Sequence, residues 1–181
     1  MEQGLLLLPG NNESAMNYRS NTYHYRQDSS FLYFFGINQP GLAGVCDLDT
    51  GEEVLYGDDL TIDDIIWMGE HPKISELGAS VDVQQTKPFD ALAKDLQSAI
   101  KKGRKIHILP PYRGDQVIQL SGLLGCSAGE VEGFVSEEFI KAVITLRSIK
   151  DQYEVAEIEK AVDVAYIMHT TAMKMGFPGN F

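Results

Sequence analysis

The stretch YHYRQDSSFLYFFGINQP, Tyr23 to Pro40, places six aromatic residues in its first fourteen positions, around an Arg26-Gln27-Asp28 polar knot. Asp28 is a good helix cap and Gly36 a good helix stop, so the spacing predicts a short helix ending at Phe35. Phe31, Leu32 and Phe35 are expected on its buried side. A helix this short is unstable alone, so packing must hold it. Tyr25 alternates with His24 in a strand expected over Thr22–Arg26 and is read as inward-facing. Arg26 and Asp28 are close enough to orient the strand-to-helix turn by a charge-assisted hydrogen bond. The stretch therefore reads first as scaffold, with its remaining aromatic side chains free to line a docking face.

Working outward, Leu5–Leu8 reads as a buried strand closed by Pro9-Gly10. Leu42–Leu48 and Glu53–Tyr56 flank Asp49-Thr50-Gly51-Glu52 and predict a β-hairpin. Thr61 or Asp59 caps a short helix through Trp67. Val81–Gln85 is expected as a strand. Pro88 opens a helix with Phe89, Leu92, Ala93, Leu96 and Ile100 at helical spacing. Lys105–Leu109 is a strand, and Asp115–Leu124 and Glu137–Leu146 are helices. Strands that alternate with helices, some pairing locally, define the α/β class: a mixed β-sheet flanked by helices.

Asp151 and Glu154 then form a capping box for a longer helix. Its apolar stripe runs through Val155, Ile158, Val162, Ala165, His169, Ala172 and Met173. The organisation expected is an N-terminal α/β domain over 1–146. Residues 147–181 then form a joint and the first helix of a further domain.

The 181 residues carry a formal charge of −11. Such a chain is repelled by nucleic acid and by anionic lipid, so neither is expected as a partner. No apolar run is long enough for a membrane span. The basic cluster Lys101-Lys102-Gly103-Arg104-Lys105 falls at a helix end, where it complements the dipole. Cys46 and Cys126 lie far apart in apolar surroundings and read as buried free thiols of a reducing cytoplasm. The four histidines are scattered, and no zinc, phosphate-loop or serine-hydrolase motif is present. Asp58-Asp59 and Asp63-Asp64 match no calcium loop and read as solvated carboxylates around a helix start. Residue chemistry alone gives no catalytic constellation and no metal site.

Tyr23–Pro40 closely resembles the Y-x-[FY]-R-Q-[DN]-S-x-F-x-Y-[FL]-x-G-[FI]-x-x-P signature of Xaa-Pro aminopeptidases, in their N-terminal domain. Its matching positions include Tyr25, Arg26, Asp28, Phe31, Tyr33, Gly36 and Pro40. Asp63–Gly69 resembles the family's E-I-W-x-G segment. Leu146–Val155 resembles its L-R-x-I-K-[SD]-x-x-E-[IL] junction, and Pro178-Gly179 the start of its catalytic "pita-bread" domain. Creatinase and prolidase share this architecture.

The resemblance implies a fold and a division of labour. The N-terminal domain is a mixed sheet with helices on its faces. The catalytic domain binds two divalent metals, commonly manganese, through two Asp, one His and two Glu. These activate a water that attacks the bond before proline. All five ligands would lie beyond Phe181, so no cofactor is expected among these residues, and the chain reads as part of a longer enzyme. The expected partners are its own catalytic domain, neighbouring subunits of a homo-oligomer and, through the parent enzyme, proline-containing peptides. Trp67 matches the tryptophan that walls a neighbouring subunit's substrate pocket. Glu70-His71-Pro72 departs from the basic residues that many members carry there. The alternatives are a prolidase or creatinase-like parent, or a catalytically degenerate relative that binds peptides or proteins.

Overall fold

The computed structural model of the chain describes residues 3–176. Pro178-Gly179, one of the matched segments, lies outside them. The chain divides into two compact units, one up to Ile140 and one from Lys141 onward.

The first unit is built on β1 (Leu5–Pro9), β4 (Ala43–Asp47), β5 (Glu53–Tyr56), β6 (Gln85–Lys87) and β7 (Ile106–His107). Two short strands, β2 (Ala15–Tyr18) and β3 (Asn21–Thr22), pair only with each other. In the main sheet the order is β6-β5-β4-β1-β7. β4 pairs antiparallel with both β1 and β5, while the outer pairs β5–β6 and β1–β7 are parallel. The mixed sheet and the hairpin across Asp49–Glu52 are thus as expected.

Strand alternation sorts the sheet's side chains to two faces. Leu5, Leu7, Ala43, Val45 and Tyr56 join one core with Leu92, Leu96 and Ala99 of α4 (Ala91–Lys101) and Leu120, Leu123 and Leu124 of α5 (Gly114–Leu124). The other face receives α1 (Ser29–Phe35), whose Phe31 and Phe35 are buried and stacked at 5.2 Å. A Cβ on Gly44 would stand 2.0 Å from the Phe35 ring, so this strand position must lack a side chain for α1 to lie against the sheet. Asp28 Oδ1 accepts from Ser30 and Phe31 N–H at 2.9 Å each. Gly36 closes the helix in the left-handed region at φ 67.

Four expectations need correction. Leu32 is 41 % exposed, because the next residue after Phe31 turns about 100° around the helix, away from the sheet. No strand covers Thr22–Arg26: β3 ends at Thr22, and side-chain amides hold the next residues in place of a ladder. The strand expected over Val81–Gln85 falls instead at Gln85–Lys87. It follows α3 (Ile74–Ser80) and a left-handed Asp82 at φ 62. Cys46 and Cys126 are free thiols but only half-buried. A 3-10 turn over Ala128–Phe134 was not anticipated.

From Lys141 the chain continues α6 (Glu137–Ser148) and then forms α7 (Gln152–Met175). Asp151 caps α7 through the expected box with Glu154. No residue of α7 is buried, and Val155, Ile158 and Val162 of its apolar stripe lie open to solvent. Among the described residues no helix is long and apolar enough to cross a membrane.

Candidate functional site

The signature stretch is organised by a residue that charge and periodicity do not mark. Gln27 is 4 % exposed. Its Oε1 accepts from Asn11 N–H at 2.7 Å and Asp28 N–H at 2.9 Å. Its Nε2 donates to the carbonyls of Gln39 at 2.7 Å and Ile37 at 3.3 Å. One amide thus joins the end of β1, the start of α1 and the loop after it, satisfying its full donor and acceptor capacity.

Asn11, also buried, completes the network. Its Nδ2 donates to the Arg26 carbonyl at 3.0 Å and to Tyr112 Oη at 3.1 Å. Tyr25 Oη donates to the Asn11 carbonyl at 3.3 Å. Burial pushes the Tyr25 hydroxyl up to about 12, so it remains a donor at neutral pH.

The expected Arg26–Asp28 hydrogen bond is replaced by this arrangement. The Asp28 carboxylate is spent on the helix cap, and Arg26 is held through its main-chain carbonyl. Phe31 is core; Tyr33 is 39 % exposed and meets Phe34 edge-to-face at 5.1 Å; Pro40 is exposed.

Beside the network an open cleft is lined by Ser14, Tyr23, His24, Tyr25, Arg26 and Arg113. Arg113 crosses it to Ser14 Oγ and pairs with Asp115 at 2.9 Å. The Asp115 hydrogen bond holds the Arg113 guanidinium above its ordinary value. The β2–β3 arm rises here, and Tyr23 N–H donates to the Ser14 carbonyl at its base, at 2.9 Å.

Trp67 lies elsewhere on the same unit, on α2 (Ile62–Met68). Thr61 Oγ1 accepts from Asp64 N–H at 3.2 Å, and Asp64 Oδ2 accepts from Thr61 N–H at 3.0 Å. This capping box fixes a helix none of whose residues is buried. Trp67 is 87 % exposed, with Ile62, Ile66 and Met68 open beside it. The neighbouring carboxylates do more than solvate a helix start. Asp59 Oδ1 accepts from Ile74 N–H at 2.8 Å and Asp58 Oδ1 from Phe89 N–H at 3.0 Å, anchoring the segments that follow.

Among the described residues no three His, Cys, Asp or Glu side chains are placed to share a metal ion. The two Asp, one His and two Glu that the resemblance implies as metal ligands would lie beyond Phe181, outside these residues.

These features define a mixed α/β domain with a buried Gln27–Asn11 amide network and with large apolar side chains, Trp67 among them, open to solvent. Residues 1–109 match the family described as aminopeptidase P, N-terminal domain, and the chain belongs to that family. A probable Xaa-Pro aminopeptidase of Metarhizium robertsii is 24% identical over 94% of this chain and 36% of its own length. One from Colletotrichum graminicola is 30% identical over 92% and 31%, respectively. An Xaa-Pro dipeptidase of Pongo abelii is 33% identical over 51% of this chain and 20% of its own. The chain spans about a third of the length of the aminopeptidase relatives it matches. Among solved structures, an Escherichia coli aminopeptidase P superposes with TM-score 0.77 at 22% identity, over 100% of this chain and 43% of that one. A proline aminopeptidase P II from Yersinia pestis gives 0.75 at 21% identity, over the same shares. These structures share the fold.

Proposed function

We propose that this chain serves as the N-terminal, non-catalytic domain of a cytoplasmic, metal-dependent Xaa-Pro aminopeptidase. It assembles subunits and shapes the substrate entrance of a catalytic domain that carries the two metal ions, manganese by preference. The observation that carries this reading is Trp67: a large ring, 87 % exposed, on a capped helix within a domain of this family. Such a ring stays open to water when it has a partner to meet, and it loses little freedom on packing against proline. The free thiols of Cys46 and Cys126 suit a reducing compartment.

The test uses the full-length enzyme. Trp67→Ala is expected to raise KM for an Xaa-Pro-Yaa peptide several-fold, while the present chain with added manganese turns nothing over. An unchanged KM, or turnover by this chain near that of the full enzyme, overturns the reading.

A second reading has one observation in its favour. The Pongo abelii dipeptidase has the highest identity of the three relatives, over a shorter span. On that reading the parent cleaves Xaa-Pro dipeptides, and comparing dipeptide with tripeptide turnover separates the two.

A further inference from the structure

The cleft beside the Gln27–Asn11 network carries charge of one sign. Arg26, Arg113 and His24 line it, and no Asp or Glu stands among its described lining residues. It is a basic hollow in a chain whose formal charge is −11. Its volume is about 330 Å³, at the small end of the range for ligand pockets and enough for one ring with one oxyanion.

Arg113 is already held in place. Its Nε and Nη2 donate to the two Asp115 carboxylate oxygens at 3.0 and 2.9 Å, and Nη2 also donates to Ser14 Oγ. Its Nη1 donates to no described residue. A guanidinium fixed along one edge loses little freedom when its other edge meets an acceptor. Arg26 is anchored through its carbonyl, which accepts from Asn11 Nδ2 at 3.0 Å. The Arg26 guanidinium makes no hydrogen bond or ion pair among the described residues. Asp115 offsets the charge of Arg113, so the surplus positive charge beside it is that of Arg26. Tyr23, 59 % exposed, and the half-buried Tyr25 add two phenol rings to the lining.

We infer that this cleft binds a phosphate monoester carried on a planar ring. Arg26 precedes α1 and Arg113 precedes α5, so the two guanidinium groups come from different elements. A carboxylate presents two oxygens in one plane and suits one fork. A phosphate monoester presents three oxygens in a tetrahedral spread and suits two. The tyrosine rings supply stacking surface for the planar group. The site shares no residue with α2 and does not rest on the reading of Trp67.

The probe is phenyl phosphate, titrated into the chain at neutral pH and low salt and followed by calorimetry. One saturable site is expected, with a Kd of about 0.1–1 mM. Arg26→Gln is expected to weaken binding about tenfold, and Arg113→Lys, which keeps the charge but loses the fork, about threefold or more. The Arg26 side chain is on the surface, so far-UV circular dichroism of Arg26→Gln should be unchanged. Inorganic phosphate, which lacks the ring, and benzoate, which lacks the third oxygen, are each expected to bind at least about fivefold more weakly.

The absence of saturable binding up to about 10 mM phenyl phosphate overturns the inference. So does an affinity that Arg26→Gln leaves unchanged, which would put the ligand elsewhere. Benzoate binding as tightly as phenyl phosphate would make the ligand a carboxylate, and inorganic phosphate binding as tightly would remove the rings from the site. Either result overturns the assigned ligand class. The KM test on the full-length enzyme is independent of all these results.

Discussion

The amide of Gln27 does for Asn11 what a neighbouring strand would do. Its Oε1 takes the Asn11 N–H at 2.7 Å, while Asn11 Nδ2 reaches the Arg26 carbonyl at 3.0 Å. Two side chains thus stand in for a ladder over residues that form no strand, and they fix where α1 begins relative to the end of β1.

Gln27→Leu removes these bonds and leaves buried N–H and C=O groups without partners. The expected cost is about 3 kcal/mol or more, measured by urea unfolding. Gln27→Glu keeps the acceptor but sets a carboxylate against the Ile37 and Gln39 carbonyls. Its pKa is therefore raised in the folded state, and its deficit relative to wild type should shrink as pH falls and the acid protonates. A deficit that grows on acidification would contradict the assigned amide orientation.

Gly44→Ala is expected to destabilise by about 3 kcal/mol, because the new methyl would lie 2.0 Å from the Phe35 ring, well inside contact distance. Phe35→Leu costs stability alone, yet in the Gly44→Ala background it should cost less, giving a coupling in a double-mutant cycle. Additive effects would show that the strand moves rather than the ring.

Arg104 makes a two-pronged ion pair with Asp47, at 2.8 and 2.5 Å, and reaches Asp49 at 2.5 Å. The Arg104 hydrogen bond, against a smaller penalty from burial, holds the Asp47 carboxyl below its ordinary value of 3.8. A folded value below the unfolded one means that the stabilisation is complete above the unfolded value and is lost as pH falls through the folded one. The stability gap between wild type and Asp47→Asn should therefore be about 1–3 kcal/mol at pH 7 and shrink as pH falls below the ordinary carboxylate range and through the lowered folded value. A gap that persists in acid would assign the effect to packing.

Burial pushes the Cys46 thiol up to about 11. Little thiolate exists at neutral pH, so its reaction with a disulfide reagent should be much slower in the native chain than in urea. Peptide mapping of the labelled site checks this, and rapid native labelling of Cys46 would count against its position in β4.

What the sequence made legible was local chemistry. The Asp28 cap and Gly36 stop, the cap at Thr61 or Asp59, the Asp151 capping box, the turn at Asp49–Glu52 and the periodic Leu92, Leu96 face of α4 each have their cause within a few residues. The mixed sheet followed from their order. The Gln27 network was not legible, since its partners lie at residues 11, 37 and 39 and leave no pattern in the chain. β6 reads Gln-Thr-Lys, a polar edge strand without alternation, and α3 is disguised by Gly78 in its interior. A Cβ on Gly78 would lie 2.8 Å from Thr86 and 2.9 Å from the Val83 carbonyl, so tertiary closeness selects this glycine. Trp67 was singled out by resemblance, and its exposure became apparent only in the folded chain.

β1 sits between an antiparallel partner near it in sequence and a parallel partner reached only at Ile106. On the ribosome the meander of β1, β4 and β5 can zip early, while the far edge of Leu5–Pro9 stays bare until most of the unit has emerged. That edge is a greasy, hydrogen-bond-hungry ribbon for the whole interval. The nascent polypeptide is therefore most exposed to aggregation between the emergence of β5 and that of β7, and a chaperone that shields the leucine run would act in that window.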